Sequence, residues 1–349
     1  MPKRASVLVV LLALVGVSTA LGAGGRHSYA WDLTPTGSAA RLRGISAISA
    51  NTAWTSGSLG TVLRTVDGGQ TWQNVSPPGT AALQFRDIEA FDADHAVILS
   101  IGNGTDSRVY VTSDAGQHWT QTFTNDDPNA FYDCMTFFNS RRGLALSDPV
   151  DGLFRIIATN DGGNSWHVVA ADMPAALPGE FAFAASGECL VTDHGRRAWF
   201  GTGGAAQARV FRSDDGGQSW EVSATPIHSG PTAGIFALAF RDQRHGFAVG
   251  GDFTTPTLAP DALALTKDGG SGWRLVSQAP NEYRSGAAWV TGHDAVVVGP
   301  SGSDASGDGG KTWTRFDDGS FDTVDCASRN ACWASGAQGR AAHLVTTHR

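Results

Sequence analysis

One octapeptide recurs six times along this 349-residue chain, and a unit repeated at near-regular spacing leaves few folds open. The first copy reads Thr65-Val66-Asp67-Gly68-Gly69-Gln70-Thr71-Trp72 and the second Thr112-Ser113-Asp114-Ala115-Gly116-Gln117-His118-Trp119. The others run from Thr159 through Asp161 to Trp166, from Ser213 through Asp215 to Trp220, from Thr266 through Asp268 to Trp273, and from Ser306 through Asp308 to Trp313. These are the residues of a tight turn. The Asp carboxylate accepts backbone N–H groups, the small residues after it tolerate positive φ, and the Ser or Thr two positions earlier closes the loop. The Trp then opens the next strand with a large ring to bury. The six aspartates read as hairpin caps at blade edges, because a catalytic or metal-binding group is rarely built once per repeat.

Successive turn aspartates lie 47, 47, 54, 53 and 40 residues apart, the length of one four-stranded propeller blade. In the first unit, residues 42–49, 52–58 and 61–65 read as strands, with a fourth beginning at Trp72. In the second, residues 85–91, 96–101 and 108–112 repeat the order. Abundant Gly (44) and Trp (11) with only 17% charged residues suits short strands and tight turns, so the fold class is all-β. Past the sixth turn, residues 321–326, 331–335 and 340–345 form three more strands, and the chain then ends. A solitary strand at residues 29–33 precedes the first blade. If it completes the last blade, two open sheet edges vanish and the ring counts seven blades. Six blades would follow if the last segment were irregular.

At the N-terminus, Lys3 and Arg4 precede the uncharged apolar run 6–17, and small residues follow. This reads as a signal peptide over residues 1–23, cleaved after Ala20 or Ala23, with residues 24–349 as one propeller. The run is short for a membrane anchor. The expected location is periplasmic or secreted, as a monomer with no membrane span after cleavage. Net charge is −8, or −10 once Lys3 and Arg4 are removed, which argues against nucleic acid as partner. No metal or cofactor signature appears. Of the four cysteines, Cys326 and Cys332 sit on consecutive strands and suit a local disulfide, while Cys134 and Cys189 are either paired or buried free thiols.

The start of each innermost strand shapes the channel mouth. Aligning those starts brings together Arg43, Arg86, Asp87, Tyr132, Asp133, Glu180, Tyr283, Arg284 and Asp322. Arginine, carboxylate and aromatic groups at one mouth suit a protein segment or a small polar or anionic ligand. The same charges also suit mutual pairing that holds the ring together, and a one-residue slip would exchange the faces.

The octapeptide resembles the Asp-box, or bacterial neuraminidase repeat. With strands such as Phe85-Arg86-Asp87-Ile88 and Gly60-Thr61-Val62-Leu63-Arg64-Thr65, the whole mature chain is similar to the photosystem II stability/assembly factor-like propellers. The resemblance implies a seven-bladed, non-catalytic binding and assembly propeller. In photosynthetic organisms such proteins bind a membrane-protein subunit in the lumen, and similar exported bacterial chains go under the name oxidoreductase. No nucleotide fingerprint supports that name here, since Gly201-Thr202-Gly203-Gly204 lacks the strand-to-helix context. The enzyme alternative is a sialidase-like or other glycoside hydrolase or lyase, because Asp-boxes occur in sialidases. Sialidases use an arginine cluster with a tyrosine nucleophile and a glutamate. Arg43, Arg86 and Arg284 are candidates for the cluster, but the Arg-Ile-Pro motif is missing at Arg43-Gly44-Ile45.

Overall fold

The computed structural model describes residues 27–348; the expected signal peptide lies outside them. Seven four-stranded antiparallel sheets surround one axis. Blade 1 comprises Leu42–Ala47, Ala53–Gly57, Val62–Thr65 and Gln73–Asn74, from the axis outward. The innermost strands of blades 2 to 7 are Gln84–Ala90, Tyr132–Phe137, Leu190–Thr192, Ala233–Phe240, Gly286–Trp289 and Thr323–Ser328. Blade 7 is completed by His27–Leu33, which pairs antiparallel with Ala341–His348. The N-terminal strand thus closes the ring, as expected, and the count is seven. Among the described residues no helix is long and apolar enough to cross a membrane.

Each box forms the predicted hydrogen-bonded turn. In the first, Thr65 Oγ1 donates to Asp67 Oδ1 (2.9 Å) and accepts from the Gly69 N–H (3.0 Å). The same Asp67 oxygen accepts from the Thr71 N–H at 2.9 Å, and its partner from the Thr71 hydroxyl at 2.6 Å. These bonds hold the Asp67 carboxyl below the usual range, and in the second box that of Asp114 falls to about 2. The two glycines of a box differ in purpose. The first needs its positive φ, and Ala115 takes that place at φ 63°, although in the third and fifth boxes a Cβ would also meet a backbone carbonyl, Ser140 at 2.9 Å from Gly162 and Gln243 at 2.7 Å from Gly269. The second lies against the preceding blade: a Cβ on Gly116 would come within 2.7 Å of the Val75 Cβ. The box therefore packs neighbouring blades together as well as turning the chain.

Trp and Phe rings fill the spaces between blades. Trp54, Trp199 and Trp333 are fully buried, each ring removing roughly 150–250 Å² from water. Of the box tryptophans, Trp220, Trp273 and Trp313 are buried, while Trp72, Trp119 and Trp166 are partly so. Arginines add polar ties to the next blade's hairpin: Arg64 to the Ala93 carbonyl (2.5 Å), Arg142 to Gly195 (3.0 Å) and Arg197 to Gln243 (2.7 Å). Two disulfides are present, Cys326–Cys332 within blade 7 and Cys134–Cys189 between blades 3 and 4. The second resolves the alternative left open by the sequence in favour of pairing.

Candidate functional site

Blade 4 departs from the sequence alignment. Its innermost strand is Leu190–Thr192, and the Glu180-Phe181-Ala182 stretch aligned to that place lies ahead of it. Residues 184–188 cross the axis instead. Arg43 Nη1 donates to the Ala185 carbonyl (3.4 Å) and Arg86 Nη1 to the Ala184 carbonyl. Ser186 Oγ donates to the Ser285 carbonyl at 2.6 Å, and the Glu188 carbonyl accepts from the Leu238 N–H at 3.0 Å. The Glu188 carboxylate accepts from the Ala287 N–H, the Val324 N–H (3.1 Å) and the Thr323 hydroxyl (2.9 Å). This segment touches blades 1, 2, 5, 6 and 7, and the Cys134–Cys189 disulfide ties its end to blade 3. It divides the channel into a mouth and a funnel of about 460 Å³ on the opposite face.

Bulges set what enters the mouth. The innermost strands of blades 1, 2, 3 and 5 each carry a register shift, between Leu42 and Gly44, Phe85 and Asp87, Tyr132 and Cys134, and Ile235 and Ala237. The extra residues are Arg43, Arg86, Asp133 and Phe236, so these four are true structural equivalents. The sequence alignment was one residue out between blades 1–2 and blades 3 and 5.

Arg43 and Arg86 stand on adjacent blades, half-buried, and among the described residues neither has a carboxylate within ion-pair distance. Burial first, and then the neighbouring Arg43 charge, lowers Arg86 to about 10. Burial likewise lowers Arg43, and the Arg86 Nε is buried without a hydrogen-bond partner. Arg41, absent from the sequence-based set, is more exposed and forms a two-point pair with Asp322: Nε to Oδ2 at 2.8 Å and Nη2 to Oδ1 at 2.6 Å. Aromatic rings cover the other side. Phe183 stacks on Phe236 at 3.9 Å, Tyr283 meets Phe236 edge-on at 4.7 Å, and Phe253, 49% exposed, stands 6.3 Å from both phenylalanines.

The remaining sequence-predicted residues have other surroundings. Asp87 follows its bulge and so faces the funnel, where its Oδ2 accepts from the Met135 N–H at 2.6 Å; burial pushes it up to about 7. Tyr132 is buried in the core against Phe123, not at the mouth. Asp133 is buried beside Asp148; burial, then the Asp148 charge, pushes it well up, while burial raises Asp148 to about 6. Glu180 is buried and paired with Arg209, its Oε1 also accepting from the Thr202 hydroxyl at 2.6 Å. Arg284 is 1% exposed and bound to Asp304 at 2.6 Å and Glu282 at 3.3 Å. Of the three arginines considered for a carboxylate clamp, the structure therefore brings Arg43 and Arg86 together at the mouth and ties Arg284 into an ion-pair network.

Among the described residues Tyr283 and Glu282 do not come together as a sialidase-type tyrosine–glutamate pair. Glu282 joins that network, binding Arg315 at 2.7 Å and the Ser301 hydroxyl at 2.6 Å, and Tyr283 turns to the aromatic cluster. Sequence reasoning missed Arg41, Phe183, Phe253 and the axial segment. Only the long 54- and 53-residue spacings hint at the extra chain that carries Phe183 and Phe253.

No protein-family model matches the sequence, and no curated protein does. Solved structures do. A YCF48 structure bound to D1 peptide superposes with a TM-score of 0.66 at 18% identity, covering 91% of this chain and 97% of that one. YCF48 from Cyanidioschyzon merolae gives 0.64 at 17% identity over 91% and 99%. The WD40 propeller domain of Doa1 gives 0.57 at 12% identity over 90% and 97%. In fold, the chain is a seven-bladed propeller like that of the photosystem II assembly factor YCF48.

Proposed function

We propose that the chain is an exported, non-catalytic binding and assembly propeller that holds a protein segment, through an anionic group, in the channel mouth. The observation that carries this reading is the pair Arg43 and Arg86. Two guanidinium groups taken half out of water beside each other, with backbone carbonyls as their only acceptors among the described residues, leave electrostatic work undone. An incoming carboxylate supplies what is missing, with charge-assisted bonds in the geometry guanidinium groups favour. The facing rings of Phe183, Phe236 and Phe253 suit an apolar side chain beside that carboxylate. A protein segment offers both features on one strand, which ranks it above a small polar ligand. The propeller of YCF48 has been seen with a D1 peptide. Export is supported by the leader-like residues 1–23 and by two disulfides with no free cysteine among the described residues.

The test uses the mature protein and its Arg43→Ala/Arg86→Ala variant to capture partners from the envelope extract of the source cell. Peptides from any captured protein are then titrated by fluorescence anisotropy. Loss of each arginine removes a charge-assisted bond, so affinity for the cognate peptide drops by at least about tenfold. Equal capture and equal affinity for both proteins move the site away from the mouth. Failure to capture any protein, with turnover of a glycoside in a substrate screen, replaces this reading by the hydrolase.

A further inference from the structure

The face of the ring that carries the box turns also carries shallow grooves between blades. The groove between blades 5 and 6, about 260 Å³, is lined by Arg241, His245, Lys267, His293 and Lys311 and by one acid, Asp308, with Trp289 as an apolar wall. The chain has three lysines; Lys3 lies in the leader, and the other two both line this groove. Each is exposed, and neither forms an ion pair among the described residues. The acids nearby are already engaged. Asp308 accepts from the Ser306 hydroxyl, the Lys311 and Thr312 N–H groups and the Thr312 hydroxyl, all within its own turn. Asp268 is held the same way by Thr266 and Gly272. Asp242 bonds His245 Nδ1 at 2.9 Å and lies 3.7 Å from Arg241. Arg241 itself donates to the Gly292 carbonyl while its guanidinium sits 5.0 Å over the Trp289 ring.

The repeat does not dictate this charge. Where box 5 has Lys267 the other boxes have Val66, Ser113, Asn160, Asp214 and Gly307, and where box 6 has Lys311 they have Gln70, Gln117, Asn164, Gln218 and Ser271. The equivalent groove between blades 2 and 3, about 530 Å³, is lined by Asp92, Asp114, Asp161, His95 and His118, with no lysine or arginine. Two lysines from different box positions converge, with an arginine and two histidines, on one recess of a chain whose net charge is −8.

We infer that the groove between blades 5 and 6 binds a phosphate group. Two ammonium groups that form no ion pair among the described residues, beside a guanidinium held only loosely by Asp242 at 3.7 Å, match a multiply charged tetrahedral oxyanion better than a single carboxylate. The recess is smaller than the ~300 Å³ from which drug-sized sites begin, which limits the occupant to one headgroup or one small phosphorylated compound. Trp289 gives the carbon skeleton of that compound a face to rest on.

The experiment is isothermal titration of the mature protein with inorganic pyrophosphate, alongside flotation with phosphatidylcholine vesicles that contain or lack phosphatidic acid. Wild type shows saturable binding, Lys267→Ala/Lys311→Ala weakens it by about tenfold or more, and Arg43→Ala/Arg86→Ala retains it. Because the lysines are exposed, the Lys267→Gln/Lys311→Gln variant, matched in thermal midpoint, serves as a folded second reading of the same loss. Co-flotation with phosphatidic acid that is lost with the lysines identifies a lipid headgroup as the source. Pyrophosphate binding without flotation identifies a soluble phosphate compound. No saturable binding to either probe, or binding that follows the mouth arginines and ignores the lysines, overturns the inference.

Discussion

At the mouth, Arg43 and Arg86 enter the channel and, among the described residues, pair with no carboxylate; on the other side of the axial segment Asp87, Glu89, Glu188 and Asp325 line the funnel, where the described lining has no lysine or arginine and one histidine, His194. The mouth carries bases and the funnel acids, and the two ends bond differently. Asp87 accepts the Met135 N–H of blade 3, Asp325 the Ala47 N–H of blade 1, and Glu188 the N–H groups of Ala287 and Val324 on blades 6 and 7. Innermost strands present one edge to the channel, and these carboxylates satisfy the donors on that edge. Funnel carboxyl groups therefore tie blade 2 to blade 3, blade 7 to blade 1, and the axial segment to blades 6 and 7. Among the described residues, Arg43 and Arg86 bond only to two carbonyls of the axial segment. A charge whose bonds are complete within the fold maintains the ring, and one whose bonds are incomplete is available to a ligand.

The sharpest challenge to that distinction is Arg284, which is at the same end as Arg43 but fully engaged. Replacing it with Ala leaves Asp304 and Glu282 without their buried partner, and breaking such a pair costs about 3–5 kcal/mol. Urea unfolding of Arg284→Ala measures this, and a loss under about 1 kcal/mol would show that engagement does not separate the two kinds of arginine. Glu188→Ala probes the funnel side. It leaves the N–H groups of the buried Ala287 and Val324 without their acceptor, so the expected loss is about 1–3 kcal/mol, and Glu188→Gln, which keeps one acceptor oxygen, recovers part of it.

Acidity separates the funnel from the box turns. Burial raises Asp87 to about 7 and Glu89, Glu188 and Asp325 above the usual carboxylate range. A raised acid stabilises the fold fully below its unfolded pKa, near 4, and that contribution is lost as pH rises through the folded value. The box aspartates are depressed, Asp114 to about 2, and their contribution is lost in the opposite direction, as pH falls from about 4 toward 2. The thermal midpoint should therefore peak in mild acid, near pH 4–5, and decline toward pH 8. Asp87→Asn removes part of the decline around pH 7 while sparing the acid limb. A profile flat from pH 5 to 8 would mean that the funnel acids are hydrated as freely as surface groups.

Seven blades, the box turns and closure by residues 29–33 were legible because each is written in local chemistry: a hydroxyl, a carboxylate and a Gly pair at fixed offsets. The mouth was less so. A bulge at Arg43, Arg86 or Asp133 has no residue signature, and the one-residue slip it introduces turned Asp87 to the funnel and buried Tyr132. The axial segment Ala184-Ala185-Ser186-Gly187-Glu188 looks like any small-residue loop. Its partners come from five other blades, which no local pattern encodes.

The smallest effect on stability belongs to the change with the largest effect on binding. Arg43→Ala/Arg86→Ala removes two cations that burial and mutual repulsion already disfavour, and gives up two bonds to carbonyls. Ala184 is part-buried and Ala185 buried beneath the arginine side chains, and truncating those side chains opens room for water to replace the guanidinium donors at little cost. The lost bonds and the relieved repulsion oppose each other, so the net change stays within about 1 kcal/mol of zero. Residues 184–188 keep their position through Glu188, Ser186 and the Cys134–Cys189 disulfide. A double variant that unfolds as early as Arg284→Ala would make the mouth arginines part of the ring's own bonding, and the funnel and the mouth would then differ in sign alone.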